Sequence, residues 1–226
     1  PDEVLQAART GLDILKAEIY RIYQELLQDH KALDFADLQL YAVKLLKSNV
    51  EVRSQYQSSL RFVMVDEFQD INKAQFELLT LLAGPKTNVC VVGDLDQSIY
   101  MFRGANPSFA LRFQEEFPDV VVLRLEKCHR STGTIVEAAN KLIQANKKRL
   151  EKTSWTERPM GEKIWVIKTM DEYHEAQAIV QAIRWYLRLG LEPKDIAVLY
   201  RTNAQSGIIQ KALVEAGIPF RVLGQT

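Results

Sequence analysis

Three short runs in this sequence carry no alternation of polar and apolar positions: FVMV at 62–65, VCVV at 89–92 and VVVL at 120–123. A strand with one wet face alternates, so unbroken Val-rich runs read as strands of a parallel sheet covered on both faces. Parallel strands need long crossovers, and helical segments at about 72–83 and 107–116 supply them. A second series of the same kind follows, with strands at 164–167, 196–200 and 220–223 and helices at about 171–189 and 204–216. The expected class is α/β.

Composition agrees with a packed, non-fibrous chain. At 226 residues, 47% hydrophobic and 26% charged, the chain has the apolar content for one large domain or two small ones, which excludes disorder, collagen and a small disulfide scaffold. Lys plus Arg and Asp plus Glu are both 29, so the net charge is zero and any nucleic-acid site must be local. Cys90 and Cys128 stand far apart, with no His-Cys cluster that would suggest a metal knuckle. A reducing, cytoplasmic compartment fits this cysteine usage. No apolar stretch reaches membrane-spanning length, so no membrane is expected. The first residue is Pro1 rather than Met, as expected of a piece cut from a longer chain.

Ahead of the sheet, Leu5, Ala8, Leu12, Leu15, Ile19, Ile22 and Leu26 fall at steps of three and four and predict one long helix over about 2–29. Tyr20 and Tyr23 widen the stripe, which favours packing into the helix's own domain over a dimeric coiled coil. Asp34 is the expected N-cap of a second helix, and a short third helix follows near 51–59. A helix is predicted over about 131–146. The polar stretch 147–162, with Lys147, Lys148, Arg149, Lys152, Pro159 and Gly161, reads as an extended connection between domains.

The chemistry-bearing residues follow the apolar runs. Asp66 and Glu67 stand at the carboxyl end of the first strand, where open α/β sheets place ligands. A carboxylate there can hold Mg²⁺ while its neighbour deprotonates an attacking water; the bland alternative is an acidic turn in which Asp70 caps the next helix. The second strand ends in GDLDQSIYMFRGA, where Gly93 permits a tight turn and Gln97 is placed to sense a phosphate. Tyr100, Phe102 and Arg103 combine two rings with a cation, the means by which bases are stacked and backbone phosphate is held; otherwise the rings are core residues under the next helix. After the third strand, Arg130 precedes Ser131 and Thr132, either of which would cap the following helix.

Together, VDEFQD, VGDLDQSIYMFRGA and LEKCHRST resemble the Walker B, third and fourth motifs of the superfamily 1 DNA helicases of the UvrD/Rep/PcrA type. Asp34-Phe35 with Asp37-Leu38 and the segment IAVLYRTNAQS at 196–206 are similar to that family too. The resemblance implies partial RecA-like parallel-sheet motor domains preceded by a helical segment. Residues 1–30 would end a helical insertion subdomain, 31–130 would be the latter half of the first motor domain, and 131–226 the beginning of the second.

It also implies roles. Asp66 would bind Mg²⁺ with Glu67 beside it, Glu67 would activate the hydrolytic water, and Gln97 would contact the γ-phosphate of ATP. Arg130 would act as the arginine finger, and His129 stands where the family's adenine-stacking tyrosine is usual. Tyr100, Phe102 and Arg103 would line the single-stranded DNA path, with Arg201 and Asn203 as candidates on the second domain. Phe102 replaces a common Trp, and Gly207 stands where a longer, often basic residue is usual. The expected activity of the parent is 3′-to-5′ translocation and unwinding at duplex junctions, in repair or replication.

A phosphate-binding loop of the form G-x-x-x-x-G-K-[ST] is absent, because the sequence contains no Gly-Lys dipeptide. The chain is therefore expected to be inactive alone, to need the missing remainder of the helicase, and to self-associate through sheet edges left uncovered. Two rivals make different predictions. A truncated single-stranded DNA-binding module would bind without nucleotide dependence; a helicase-nuclease subunit would continue into a nuclease domain, which nothing here resembles.

Overall fold

The computed structural model describes residues 4, 6, 9–117, 119–146 and 152–223, and the chain divides between Met160 and Gly161 into two compact units. Both are α/β in sequence pattern, and the only ladder among the described residues is a two-stranded parallel sheet in the first.

The long N-terminal helix is interrupted. Val4 and Gln6 are helical, but α1 (Gly11–Asp29) starts afresh behind Thr10. The Thr10 hydroxyl accepts from the Asp13 N–H at 3.2 Å, and the Asp13 carboxylate accepts the Thr10 N–H at 3.1 Å. This reciprocal box satisfies donors that a continuous helix would have used internally. Nor does the apolar stripe pack inward: Leu12, Leu15, Ile19, Ile22 and Leu26 are exposed, while Ala17 and Gln24 are buried. Polar anchors set that rotation. Gln24 donates to Asp37 Oδ1 at 3.4 Å and Tyr23 to Asp34 Oδ2 at 3.0 Å.

Asp34 caps α2 (Phe35–Ser48) as its sequence predicts, accepting from Asp37 N–H at 2.8 Å. Asn49 then caps α3 (Val50–Ser59) through the Val52 N–H. Strand β1 (Phe62–Val65) leads to α4 (Lys73–Leu82), whose cap is the Asn72/Gln75 box. Strand β2 (Asn88–Val91) pairs parallel with β1, with Phe62 opposite Asn88 and Val65 opposite Val91. Val63, Val65, Val89 and Val91 pack on a core of Phe68, Ile71, Phe76, Leu79, Phe109 and Phe113, the last two from α5 (Phe109–Glu116). The opposite face, with Phe62, Met64 and Cys90, is exposed. Among the described residues the sheet is therefore covered on one face rather than two, since side chains alternate across any strand and a second layer is required to bury the rest.

The expected third strand at 120–123 forms no ladder, and Val121 and Leu123 are exposed. An apolar run becomes a strand only when a neighbour takes up its backbone groups, and here the chain pairs slightly later: Cys128 N–H donates to Trp155 O at 2.7 Å and Trp155 N–H to Glu126 O at 3.0 Å. The returning segment is thus stitched to the first unit rather than free. Asn140, on α6 (Gly133–Ile143), brackets Ser154 by donating to its carbonyl at 2.7 Å and accepting its N–H at 3.2 Å. Helix α6 is shorter than expected; Lys147, Lys148 and Arg149 lie outside the described residues.

In the second unit, α7 (Glu172–Arg188) and α8 (Asn203–Glu215) pack through Ala176, Val180, Ile183, Ala212 and Leu213. The runs at 164–167, 196–200 and 220–223 make no ladder either. Ile196 and Val198 reach the helix core, yet the 196–200 and 220–223 runs flank a cavity of about 680 Å³ instead of exchanging hydrogen bonds. No helix among the described residues is long and apolar enough to cross a membrane.

Candidate nucleotide and nucleic-acid site

The ladder carries on past both strands. Val92 N–H donates to Val65 O at 2.8 Å and Phe68 N–H to Val92 O at 2.9 Å, so Asp66-Glu67 and Gly93-Asp94 emerge side by side. Between them the chain turns sharply: Glu67 has φ 50° and ψ 44°, the left-handed region that non-glycine residues seldom occupy. Such strain, about 1–3 kcal/mol, persists only where the surroundings enforce it and clusters at functional sites. Asp66 and Glu67 are both exposed, and Asp66 Oδ1 accepts the Glu67 N–H at 2.9 Å.

The residue that binds the two turns together is Gln69, almost wholly buried at 2% exposure. Its Nε2 donates to Glu67 Oε2 at 2.6 Å and its Oε1 accepts the Asp94 N–H at 2.8 Å. Asp94 in turn accepts from Gln97 Nε2 at 2.7 Å and from the Asp96 N–H at 3.0 Å. Glu67 and Gln97, singled out separately in the sequence, are therefore ends of one hydrogen-bonded chain. Gly93 is required by the close approach: a Cβ there would lie 2.7 Å from Gln69 Oε1 and 3.1 Å from the Phe68 nitrogen. Burial opposes ionisation of Asp94, but hydrogen bonds from Lys152 and Gln97 outweigh it and hold the carboxyl below its usual range.

Sequence reasoning passed over Gln69, Asp94 and Lys152. The signal for the first was available: a glutamine in a turn between a strand end and an apolar helix must find partners if it is buried. Asp70 keeps one oxygen, Oδ1, buried without a hydrogen bond, and it does not cap α4, since Asn72 does.

Tyr100, Phe102 and Arg103 follow Gln97 on a single 3₁₀ turn closed by Gly104 at φ 86°, where a Cβ would strain the backbone. Their rings are exposed and so are not core residues; the centroids lie 6.1 Å apart, and the Arg103 guanidinium is 5.3 Å from one and 5.4 Å from the other. Two open π-faces with a cation between them suit stacking on flat, anionic polymers.

His129 and Arg130 are exposed just before α6. Among the described residues, no hydrogen bond joins either side chain to Glu67 or Gln97. Thr132 sits at the N-cap position but makes no side-chain cap; the Gly133 and Thr134 N–H groups go instead to the carbonyls of Pro159 and Met160, each at 3.0 Å. Cys128 lies alongside, its thiol held below the ordinary range by backbone N–H groups of Ser131 and Arg130. Arg201 and Asn203 stand exposed at the start of α8 in the second unit, where Gln205 Oε1 accepts the Arg201 and Thr202 N–H groups at 3.0 Å each. A longer side chain at Gly207 would meet open space.

The donor set fits Mg²⁺ rather than a caged metal. Among the described residues no group of three or more His, Cys, Asp or Glu side chains is gathered to hold an ion. Mg²⁺ requires less: one or two carboxylates with waters and phosphate oxygens, and exposed Asp66 and Glu67 at a strand end meet that requirement.

Residues 2–118 match the UvrD/REP helicase N-terminal domain and residues 123–226 the UvrD-like helicase C-terminal domain. ATP-dependent DNA helicase PcrA of Staphylococcus aureus (strain NCTC 8325) is 41% identical over 208 residues, covering 92% of this chain and 28% of its own length. That of Staphylococcus epidermidis (strain ATCC 12228) is 38% identical over 224 residues, covering 99% and 31%. The chain thus spans less than a third of the length of the curated relatives it matches, and it belongs to the UvrD/REP helicase family.

Proposed function

We propose that the chain is the central segment of a cytoplasmic, ATP-dependent 3′-to-5′ DNA helicase acting in repair or replication. In this reading it comprises the end of a helical insertion (1–30), the latter half of one RecA-like motor domain (31–130) and the beginning of a second (131–226). The observation that carries the proposal is the chain of hydrogen bonds from Glu67 through Gln69 and Asp94 to Gln97, with the Tyr100, Phe102 and Arg103 platform starting three residues on. Hydrolysis at one end and stacking at the other are then linked through three hydrogen bonds and one short stretch of backbone.

Bound Mg²⁺ would be held by Asp66 with Glu67 beside it, and it would neutralise charge on the phosphates of ATP. Glu67, presented by its left-handed backbone, takes the proton of the attacking water. Gln97 donates its amide to the γ-phosphate, exchanging Asp94 for the nucleotide. Arg130 reaches the same phosphate as the finger, with His129 stacked on adenine. The phosphate-binding loop must come from chain outside these residues, since no Gly-Lys pair is present. Single-stranded DNA lies across Tyr100 and Phe102, with Arg103 at its backbone and Arg201 and Asn203 contributing from the second domain.

Tyr100→Ala tests the DNA half. Loss of one stacking face costs about 1–3 kcal/mol, so affinity for a single-stranded oligonucleotide is expected to fall roughly 5- to 150-fold by fluorescence anisotropy. Equal affinities would remove Tyr100 from the site.

A further inference from the structure

Lys152 emerges from the segment that follows α6 and reaches the turn after β2. Its ammonium ion-pairs with Asp94 Oδ1 and lies 3.8 Å from Asp96 Oδ2, and all three side chains are largely withdrawn from solvent, at 26%, 25% and 11% exposure. An ion pair so placed is screened far less than a surface bridge. Asp94 is also the acceptor for Gln97 Nε2 at 2.7 Å, so the lysine and the glutamine share one carboxylate. The backbone behind Lys152 is fixed. Thr153 N–H donates to Glu126 Oε1 at 3.2 Å, Asn140 brackets Ser154, and Trp155 pairs with Glu126 and Cys128. Further along the same segment, Arg158 Nε donates to the His129 carbonyl at 2.9 Å.

We propose that Lys152 is a positioning residue for Gln97, clamping Asp94 so that the segment after α6 sets the orientation of the phosphate-facing amide. The inference rests on the reading of Gln97 given above. Its consequence is coupling: the segment that supports His129 and Arg130 also holds the turn that carries Gln97, so a shift in either is transmitted to the other through Asp94. With the ammonium gone, Asp94 and Asp96 are left as neighbouring like charges, the carboxylate is free to turn toward water, and the amide loses its fixed partner.

The Gln97 side-chain amide reads this directly by NMR in the full-length protein that carries this segment, isotope-labelled selectively at glutamine and phenylalanine and assigned with Gln97→Ala. In Lys152→Met its two protons are expected to converge toward solvent-exposed positions and to exchange with water about tenfold faster or more, the loss expected of a hydrogen bond to an ionised group. Lys152→Arg is expected to restore the wild-type pattern, which a purely packing role would not require. Resonances of Phe76 in the core report folding; if they move in the Met variant, Lys152→Gln, polar and of similar length, takes its place. A Gln97 amide unchanged between wild type and the neutral variant would overturn the proposal and leave the helicase reading intact. Conversely, unaltered ATP turnover in a full-length Gln97→Ala helicase would overturn the phosphate role of Gln97 while leaving its restraint by Lys152 standing.

Discussion

Glu67→Gln, made in the full-length helicase that carries this segment, is expected to lower DNA-stimulated ATP hydrolysis by about 10²- to 10⁴-fold, the usual contribution of a positioned general base. Nucleotide affinity should change little. Glutamine has the same length and still offers an oxygen to Gln69 Nε2, which donates to Glu67 at 2.6 Å in the native arrangement. It adopts the same backbone, so the left-handed turn at φ 50° survives. What it cannot do is take a proton from water. A fall in turnover with binding preserved, read as kcat against nucleotide Kd, therefore separates proton transfer from architecture. A drop in affinity of the same size would instead mean that Glu67 serves the metal and not the water.

The second large effect is on stability. Phe76→Ala is expected to destabilise the first unit by about 3–5 kcal/mol, the range for emptying a buried aromatic site. Phe76 is 2% exposed, stacked on Phe109 at 4.8 Å and 12°, and tilted against Phe68 at 6.4 Å, with the Arg112 guanidinium 5.0 Å from its ring centroid. Against a total of about 5–15 kcal/mol for a domain, this loss is large. Its effect reaches the site, because Phe68 follows Glu67 directly and packs edge-on to Phe113 at 5.5 Å. Urea unfolding followed by far-UV circular dichroism measures it. Phe102→Ala, removing an exposed ring at 69% exposure, serves as the comparison and should stay within about 0.5 kcal/mol of wild type.

Much of the local structure was legible because it is dictated locally. Asp34 and its box with Asp37, the β1 and β2 runs and the helices after them depend on side chains within a few residues of one another. The Thr10-x-x-Asp13 box is equally local, and the helix break behind Thr10 shows that a cap can override a seven-residue apolar stripe. Failures of another kind came where pairing partners are decided at a distance. Residues 120–123, 164–167, 196–200 and 220–223 have strand composition, yet composition cannot supply the neighbour whose carbonyls and N–H groups make a ladder. The exposed rings of Tyr100 and Phe102 lay within reach of motif reasoning. Lys152 did not, since the 55 positions between Asp96 and Lys152 hide the contact until the chain folds back along Glu126.

In the proposed function, the ends of β1 and β2 form half of a triphosphate pocket, which a phosphate-binding loop elsewhere in the full-length protein completes. Its most direct test is ATP turnover in the presence of single-stranded DNA, measured side by side for the 226-residue chain and for the full-length protein. No turnover above background is expected from the chain, and DNA-stimulated turnover is expected from the full-length protein. Hydrolysis by the chain alone would contradict it.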